Sequence, residues 1–267
     1  MLLPRVLTAA VGIPVFLYLI ELGGIPFIAL SVGLAVLALH EYATVLHMGG
    51  RGVQRVLTVL AGALACLSVA LSGRAFPGEG LTGLALTAIV ASVVLRELLR
   101  KEHSLDRAAL TLFGTFFIGW TLGHLVLIRD SSADGKLLTF MLFSAVWGCD
   151  ILAYTVGLTV GRRRLAEVIS PKKSWEGTVG GLLGAVAVVW IFRTLWMPEL
   201  ALWKTWTLAL LIGVVGQLSD LSQSLVKRAS GVKDSGGILP GHGGVFDRMD
   251  SFFLLAPLYH YFLLMTR

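Results

Sequence analysis

Nine apolar runs separated by short polar segments dominate the chain, at about 6–22, 25–46, 56–73, 81–99, 108–128, 137–160, 177–196, 205–226 and 251–266. Crossing a hydrocarbon core of about 30 Å takes roughly 17–25 helical residues. Each run therefore predicts one membrane-spanning helix, the first and last lying at the short end of that range. The expected fold is an all-α polytopic integral membrane protein of about nine transmembrane helices. Gly23-Gly24, Gly49-Gly50 and Pro77-Gly78 punctuate the connections. Arg5 precedes the first run in the manner of a secretory signal, but no polar, small-residue cleavage region follows, so a retained span is expected. Gly180-Gly181-xx-Gly184 is the small-residue spacing of a close helix–helix contact.

Composition agrees with that class. The 267 residues are 56% hydrophobic and 14% charged, against about 25% charged in ordinary globular domains. Cys66 and Cys149 both fall inside predicted spans, which argues against a disulfide framework or a zinc site. The net charge of +6 does not point to nucleic acid, because the cations sit in short inter-span loops. Topology control and anionic head groups explain them better. With the N-terminus inside, one side of the membrane collects Arg51 and Arg55; Arg96, Arg100, Lys101 and Arg107; Arg162, Arg163, Arg164, Lys172 and Lys173; and Lys227, Arg228, Lys233 and Arg248. The bias predicts a cytoplasmic N-terminus and an outer C-terminus, and it puts the polar loops 161–176 and 227–250 on the cytoplasmic side. Residues 1–105 read as a scaffold of transmembrane helices and 106–267 as the catalytic region. Glu41 and Arg96-Glu97, near the inner ends of the second and fourth runs, read as helix-end charges that snorkel to the interface.

The segment Ser224–Asp250 is the chemical anomaly of the chain. Lysines, arginines and aspartates crowd a glycine-rich stretch between two apolar runs. Such density beside membrane helices is costly unless the charges are paired, solvated or bound. Glycine backbone can wrap phosphates, cations can neutralise them, and aspartates can hold a divalent cation. This mixture predicts a metal-dependent phosphoryl or nucleotidyl site at a membrane surface. Asp220 lies near the inner end of the eighth run, with Ser224 and Lys227 at i+4 and i+7 on its face. Asp247 and Asp250 are spaced i, i+3 at the start of the last run, which predicts a shared face. Asp150, inside the sixth run, is a functional candidate by position; Tyr154, Gly157 and Gly161 continue its face. Ser170-Pro-Lys-Lys-Ser-Trp-Glu-Gly177 adds Lys172 and Lys173, compact charges suited to phosphate, while Pro171 ends any helix there. The chain contains no GxxxxGK[ST] loop and no DGxxAR-type motif of the phosphatidyltransferases that consume a CDP-activated lipid.

Ser224-Leu-Val-Lys-Arg-x4-Lys-Asp-x-Gly-xx-Leu-Pro-Gly-His-Gly-Gly-Val-x-Asp-Arg-Met-Asp250 resembles the signature of the phosphatidate cytidylyltransferases, or CDP-diacylglycerol synthases. Trp147-xx-Asp-xx-Ala-Tyr-xx-Gly-xxx-Gly161 and Ser170–Gly177 resemble that family's second conserved region. The match is close over about 147–250, while the N-terminal third agrees only in character. The resemblance implies CTP + phosphatidic acid → CDP-diacylglycerol + pyrophosphate at the cytoplasmic face of a bacterial inner membrane. It implies a homodimer, Mg²⁺, and a monovalent cation such as K⁺. By carry-over, Asp220, Asp247 and Asp250 are the metal ligands and, with Lys227 and Arg248, the catalytic set. Asp150, Tyr154, Ser170, Lys172, Lys173, Ser224, Arg228, Lys233, Asp234, Gly241, His242, Gly243 and Gly244 complete the substrate site. The chain departs from the family pattern beside Asp220, where Ser219 stands for an expected glycine and Gln223 for an expected acidic residue.

Two other readings fit part of the pattern. A CTP-using membrane enzyme with another acceptor, such as a polyprenol kinase, shares the need for phosphate-binding charge. A secondary transporter would also use intramembrane aspartates, but its site is expected near the midplane between repeated halves; no repeat is evident here.

Overall fold

Long apolar sequences leave helix as the backbone state that satisfies its own polar groups in lipid, and among the described residues the apolar runs fold that way, even where Pro14 and Pro257 fall inside a helix. A computed structural model describes residues 3–72, 80–233, 235–236 and 243–267, with side chains from Ala10 onward. The helices are α1 (Leu3–Leu22), α2 (Gly24–Met48), α3 (Arg55–Ala70), α4 (Gly80–Leu98), α5 (Leu105–Arg129), α6 (Gly135–Thr159), α7 (Trp175–Leu195), α8 (Leu202–Ala229) and α9 (Phe252–Met265). Among the described residues, six helices are long and apolar enough to cross a membrane: α2, α4, α5, α6, α7 and α8. Shorter apolar helical stretches occur at Ala10–Leu22, Arg55–Ala70 and Phe252–Met265. The protein is thus a mainly helical, polytopic membrane protein. Turns of α5 at Thr115–Trp120 and of α8 at Leu211–Val215 widen to i→i+5 hydrogen bonding.

One element departs from an all-helical expectation. The loop after α6 holds an antiparallel hairpin, β1 (Arg164–Ala166) and β2 (Ser170–Ser174), in register Arg164↔Ser174 and Ala166↔Ser170. Pro171, which excludes helix, is tolerated in β2 because a two-stranded sheet leaves each strand an unpaired edge.

The chain forms two compact units: residues 1–127 with 227–249, and residues 128–226 with 250–267. The first is packed through small residues. Leu39 of α2 lies against Gly62 of α3, and a Cβ at Gly119 of α5 would stand 2.6 Å from the Gly62 Cα. Tyr42 is fully buried and donates to the Leu110 carbonyl at 2.8 Å. The expectation that Glu97 snorkels is overturned. It is 8% exposed and ion-paired to Arg107, and it accepts hydrogen bonds from Gln54 Nε2 at 2.9 Å and Ser104 N at 2.7 Å. Ser104 in turn caps α5, its Oγ accepting from Arg107 N at 3.2 Å. A helix-end carboxylate with a guanidinium and an amide in reach has no need of the interface.

In the second unit, α6 and α7 pack along the glycine face seen in the sequence. A Cβ at Gly184 would lie 2.9 Å from the Gly148 carbonyl carbon, and one at Gly181 would lie 3.1 Å from the Cys149 oxygen. Ser174 caps α7 by accepting from Gly177 N at 3.1 Å. The Glu176 carboxylate accepts from Arg162 N at 3.0 Å and Arg163 N at 3.2 Å, which ties the start of the hairpin to the start of α7. α9 is anchored by Tyr259, which donates to the Leu138 carbonyl at 3.2 Å, and by Phe252 against Phe143 with ring centroids 4.5 Å apart.

Candidate active site

In the second unit, four charged residues predicted from sequence converge. Capping of α7 by Ser174 fixes the end of β2, so the preceding Lys173 is delivered at a defined height. Its Nζ stands 2.6 Å from Asp220 Oδ2 on α8. One turn along α8, Ser224 Oγ lies 3.4 Å from Asp220 Oδ1, as the i+4 spacing required. Asp250 precedes α9. Its carbonyl accepts a short hydrogen bond from Ser219 Oγ, whose oxygen accepts from Leu254 N at 3.1 Å. Its own carboxylate accepts from Ser251 N at 2.7 Å. Burial, and then the negative charges of Asp220 and Asp150, push the Asp250 carboxyl well above the usual carboxylate range; Lys173 offsets part of that. Asp220 and Asp150 are thus near enough to oppose the ionisation of Asp250.

A second cluster belongs to the first unit. Lys227 Nζ pairs with Asp247 Oδ1 at 2.6 Å, and Asp247 Oδ2 accepts from Ser235 N at 3.1 Å and Ser235 Oγ at 2.7 Å. Glu41 of α2 closes the arrangement: its Oε2 accepts from Phe246 N at 2.8 Å and lies 3.4 Å from Ser235 Oγ. Glu41 is 2% exposed, so the expectation that it snorkels is also corrected; a backbone amide and a serine hydroxyl reach it where it is. The shared helical face expected for Asp247 and Asp250 is not formed. α9 begins only at Phe252, both aspartates lie in the turns before it, and each joins the cluster of its own unit.

The remaining candidates are placed as follows. Asp150 and Tyr154 lie one turn apart on an exposed face of α6. Lys172, Lys233 and Arg248 are exposed, Ser170 is half-buried, and Arg228 donates to the Val232 carbonyl at 3.3 Å. Gly243 takes a left-handed φ of 81°, which favours glycine. Gly244 is glycine for a steric reason, because a Cβ there would collide with Ser235 Oγ and Glu41 Oε2. Asp234, Gly241 and His242 fall outside the described residues. One helix, α8, carries Asp220, Ser224 and Lys227.

Whether these residues suit a divalent cation follows from their donors. Among the described residues, no three His, Cys, Asp or Glu side chains are close enough together to chelate an ion unaided. Mg²⁺ rarely asks for that; it is commonly held by one or two carboxylates together with water and substrate phosphates. Asp220 and Asp250 supply hard oxygen donors whose mutual repulsion, with Asp150 adding to it, a cation would relieve. In the first unit, both Asp247 oxygens already have protein partners.

Sequence reasoning missed three residues of these clusters. Glu41 carried a visible signal, a carboxylate beside an apolar run, and was assigned to the interface. Ser219 appeared only as a departure from the family pattern, yet its hydroxyl is the link between α8 and the Asp250 backbone. Ser235 carried no signal of its own.

Comparison with known proteins gives the family. Residues 3–266 match the model of the cytidylyltransferase family. The phosphatidate cytidylyltransferase of Bacillus subtilis is 31% identical over 97% of this chain and 96% of its own length. That of Staphylococcus saprophyticus is 34% identical over 95% of this chain and 96% of its own. That of Brucella abortus reaches 41% over 56% of this chain and 55% of its own. With the match spanning nearly every residue, the chain belongs to the cytidylyltransferase family.

Proposed function

We propose that this protein is a phosphatidate cytidylyltransferase that transfers the cytidylyl group of CTP to phosphatidic acid, giving CDP-diacylglycerol and pyrophosphate. The observation that carries the reading is the convergence of Lys173, Asp220, Asp250 and Asp150 in a chain that shares nearly its full length with enzymes of that name.

In this reaction a phosphate oxygen of the lipid attacks the α-phosphorus of CTP in line. The new P–O bond forms as the bond from the α-phosphorus to the oxygen bridging it to the β-phosphorus breaks, and pyrophosphate leaves with that oxygen. Two anions must approach, so charge neutralisation and positioning do the catalytic work and no protein nucleophile is needed. Asp220 and Asp250 are the residues of the second unit that would hold Mg²⁺, with Asp150 adding negative potential. When bound, Mg²⁺ supplies charge neutralisation at the triphosphate and at the leaving pyrophosphate. Lys173 orients Asp220 and offers a cation to phosphate, and Ser224 contributes a hydroxyl beside the same carboxylate. Lys227 is held by Asp247 in a defined rotamer, while the exposed Lys172, Lys233 and Arg248 offer cations to incoming anions.

The same reading includes nine membrane crossings, a cytoplasmic N-terminus, and a site facing the cytoplasm of a bacterial inner membrane, where CTP is found. Support comes from the one-sided basic loops and from the coincidence of the apolar runs with helices among the described residues. A homodimer and a monovalent cation such as K⁺ belong to it through the family resemblance. CTP labelled at the α- or γ-phosphate tests the chemistry. Transfer of the α label to phosphatidic acid, with the γ label recovered in pyrophosphate, is the expected outcome. A γ label in the lipid product would instead identify a kinase.

A further inference from the structure

We infer that Glu41, outside every motif of the family signature, is a positioning residue for the reaction, acting on Asp247 and Lys227 through the backbone of Phe246 and through Ser235. The inference rests on the reading of the chain as a phosphatidate cytidylyltransferase.

Glu41 sits on α2, more than 180 residues before the segment it organises, and is 2% exposed. A carboxylate is an expensive side chain to bury for packing alone, and the described residues provide it with only a partial set of partners. Oε2 accepts from Phe246 N at 2.8 Å, while Oε1 has no hydrogen-bond partner among the described residues. What it does hold is specific. Phe246 immediately precedes Asp247, so the Glu41 contact fixes the Val245–Phe246 peptide, one residue before the Asp247 side chain. Ser235 Oγ stands between the two carboxylates, 2.7 Å from Asp247 Oδ2 and 3.4 Å from Glu41 Oε2. A hydroxyl has one proton, and the shorter distance assigns it to Asp247. Glu41 therefore bounds the rotamers of Ser235 from the far side and leaves its proton to Asp247. Asp247 Oδ1 holds Lys227 at 2.6 Å.

The loop has closed on Glu41 tightly enough to dictate its composition. A Cβ at Gly244 would collide with Glu41 Oε2 and Ser235 Oγ, and one at Gly236 would stand 3.1 Å from Glu41 Oε1. Gly244 thus owes its identity to the buried carboxylate. Tyr42, the next residue on α2, packs edge-on to Phe246 with ring centroids 6.1 Å apart and donates to the Leu110 carbonyl. Phe246 is consequently held at its ring by the Tyr42 contact and at its backbone N–H by the Glu41 carboxylate.

The test compares wild type, Glu41→Ala, Glu41→Gln, Ser235→Ala and the Glu41→Ala/Ser235→Ala double variant in detergent micelles. CDP-diacylglycerol formation gives kcat and KM, and hydrogen exchange is followed on the peptide covering 243–250. Misplacing a reacting group by an ångström or so costs up to about 100-fold. Glu41→Ala should therefore lower kcat by roughly 10- to 100-fold, with KM for phosphatidic acid changed by less than about threefold. Glu41→Gln, whose amide oxygen can still accept from Phe246 N, should recover part of the loss. The double variant should be no worse than the poorer single one, as expected for residues on one path. Exchange at 243–250 should rise in Glu41→Ala. If Glu41→Ala fails to fold, Glu41→Gln and Ser235→Ala carry the same comparison. Wild-type activity with unchanged kcat in Glu41→Ala, or with strictly additive losses, would overturn the inference. A wild type inactive on phosphatidic acid would instead sink the functional reading, while the exchange measurement would still report on Glu41.

Discussion

Lys173 and Asp220 form a 2.6 Å ion pair between the end of a β-hairpin and a membrane helix. The pair explains why the hairpin exists. A lysine must come at the right height to compensate three aspartates, and a capped strand end delivers one more reproducibly than a flexible loop. Its neighbour Lys172, on the alternate face of β2, is exposed. Both side chains of the pair keep partial access to water, so its value lies in orientation more than in stability.

Lys173→Met should accordingly lower kcat/KM by about 100-fold, the scale of losing one positioned cation at a phosphoryl centre. Lys173→Arg should retain part of the activity, and Lys172→Ala should raise an apparent KM without a comparable fall in kcat. Steady-state kinetics with varied CTP and phosphatidic acid separates these outcomes. Equal effects at 172 and 173 would contradict the assignment.

Asp247→Asn should abolish turnover while the protein still inserts and folds. The substitution removes the charge that holds Lys227 but keeps the shape of the side chain and leaves an oxygen for Ser235. Retention of a tenth of the activity, measured on monodisperse protein, would exclude an essential role.

The Asp250 carboxyl titrates above the usual range because of burial and the charges of Asp220 and Asp150. The folded chain therefore keeps a proton that the unfolded chain has released. Stability without divalent cations is whole below the ordinary carboxylate range and is lost as pH rises through the raised Asp250 titration. A bound cation replaces that proton, so stabilisation by Mg²⁺ should grow with pH. Apparent melting temperatures at several pH values, with Mg²⁺ or EDTA, check this, and Asp250→Asn should flatten the slope.

Gly184→Val tests the packing of α6 on α7. The Cβ alone would lie 2.9 Å from the Gly148 carbonyl carbon. Overpacking of this kind costs about 1–3 kcal/mol, seen as a lower melting temperature at every pH. Gly12→Ala, where a Cβ meets nothing within 4 Å, is the control and should leave melting unchanged.

Among the described residues, the six long apolar helices were legible because hydropathy specifies them; the hairpin was not, because Arg164–Ala166 and Ser170–Ser174 are too short and too polar for periodicity to register. Asp220, Ser224 and Lys227 were legible by helical spacing. Asp247 and Asp250 stood out as charges in a glycine-rich stretch, but their i, i+3 spacing misled, since turns and not a helix carry them. Glu41 and Glu97 were misread for one reason. A single carboxylate at the end of an apolar run looks the same whether it faces head groups or a partner distant in sequence, such as Phe246 for Glu41 or Arg107 and Gln54 for Glu97. Only the tertiary fold distinguishes the two.

The most direct measurement is pyrophosphate release by the purified protein in detergent micelles with CTP, phosphatidic acid and Mg²⁺, repeated with EDTA and with a polyprenol in place of phosphatidic acid. Release that requires phosphatidic acid and is abolished by EDTA is the predicted result. No release with phosphatidic acid, from protein shown to be folded, would contradict the account.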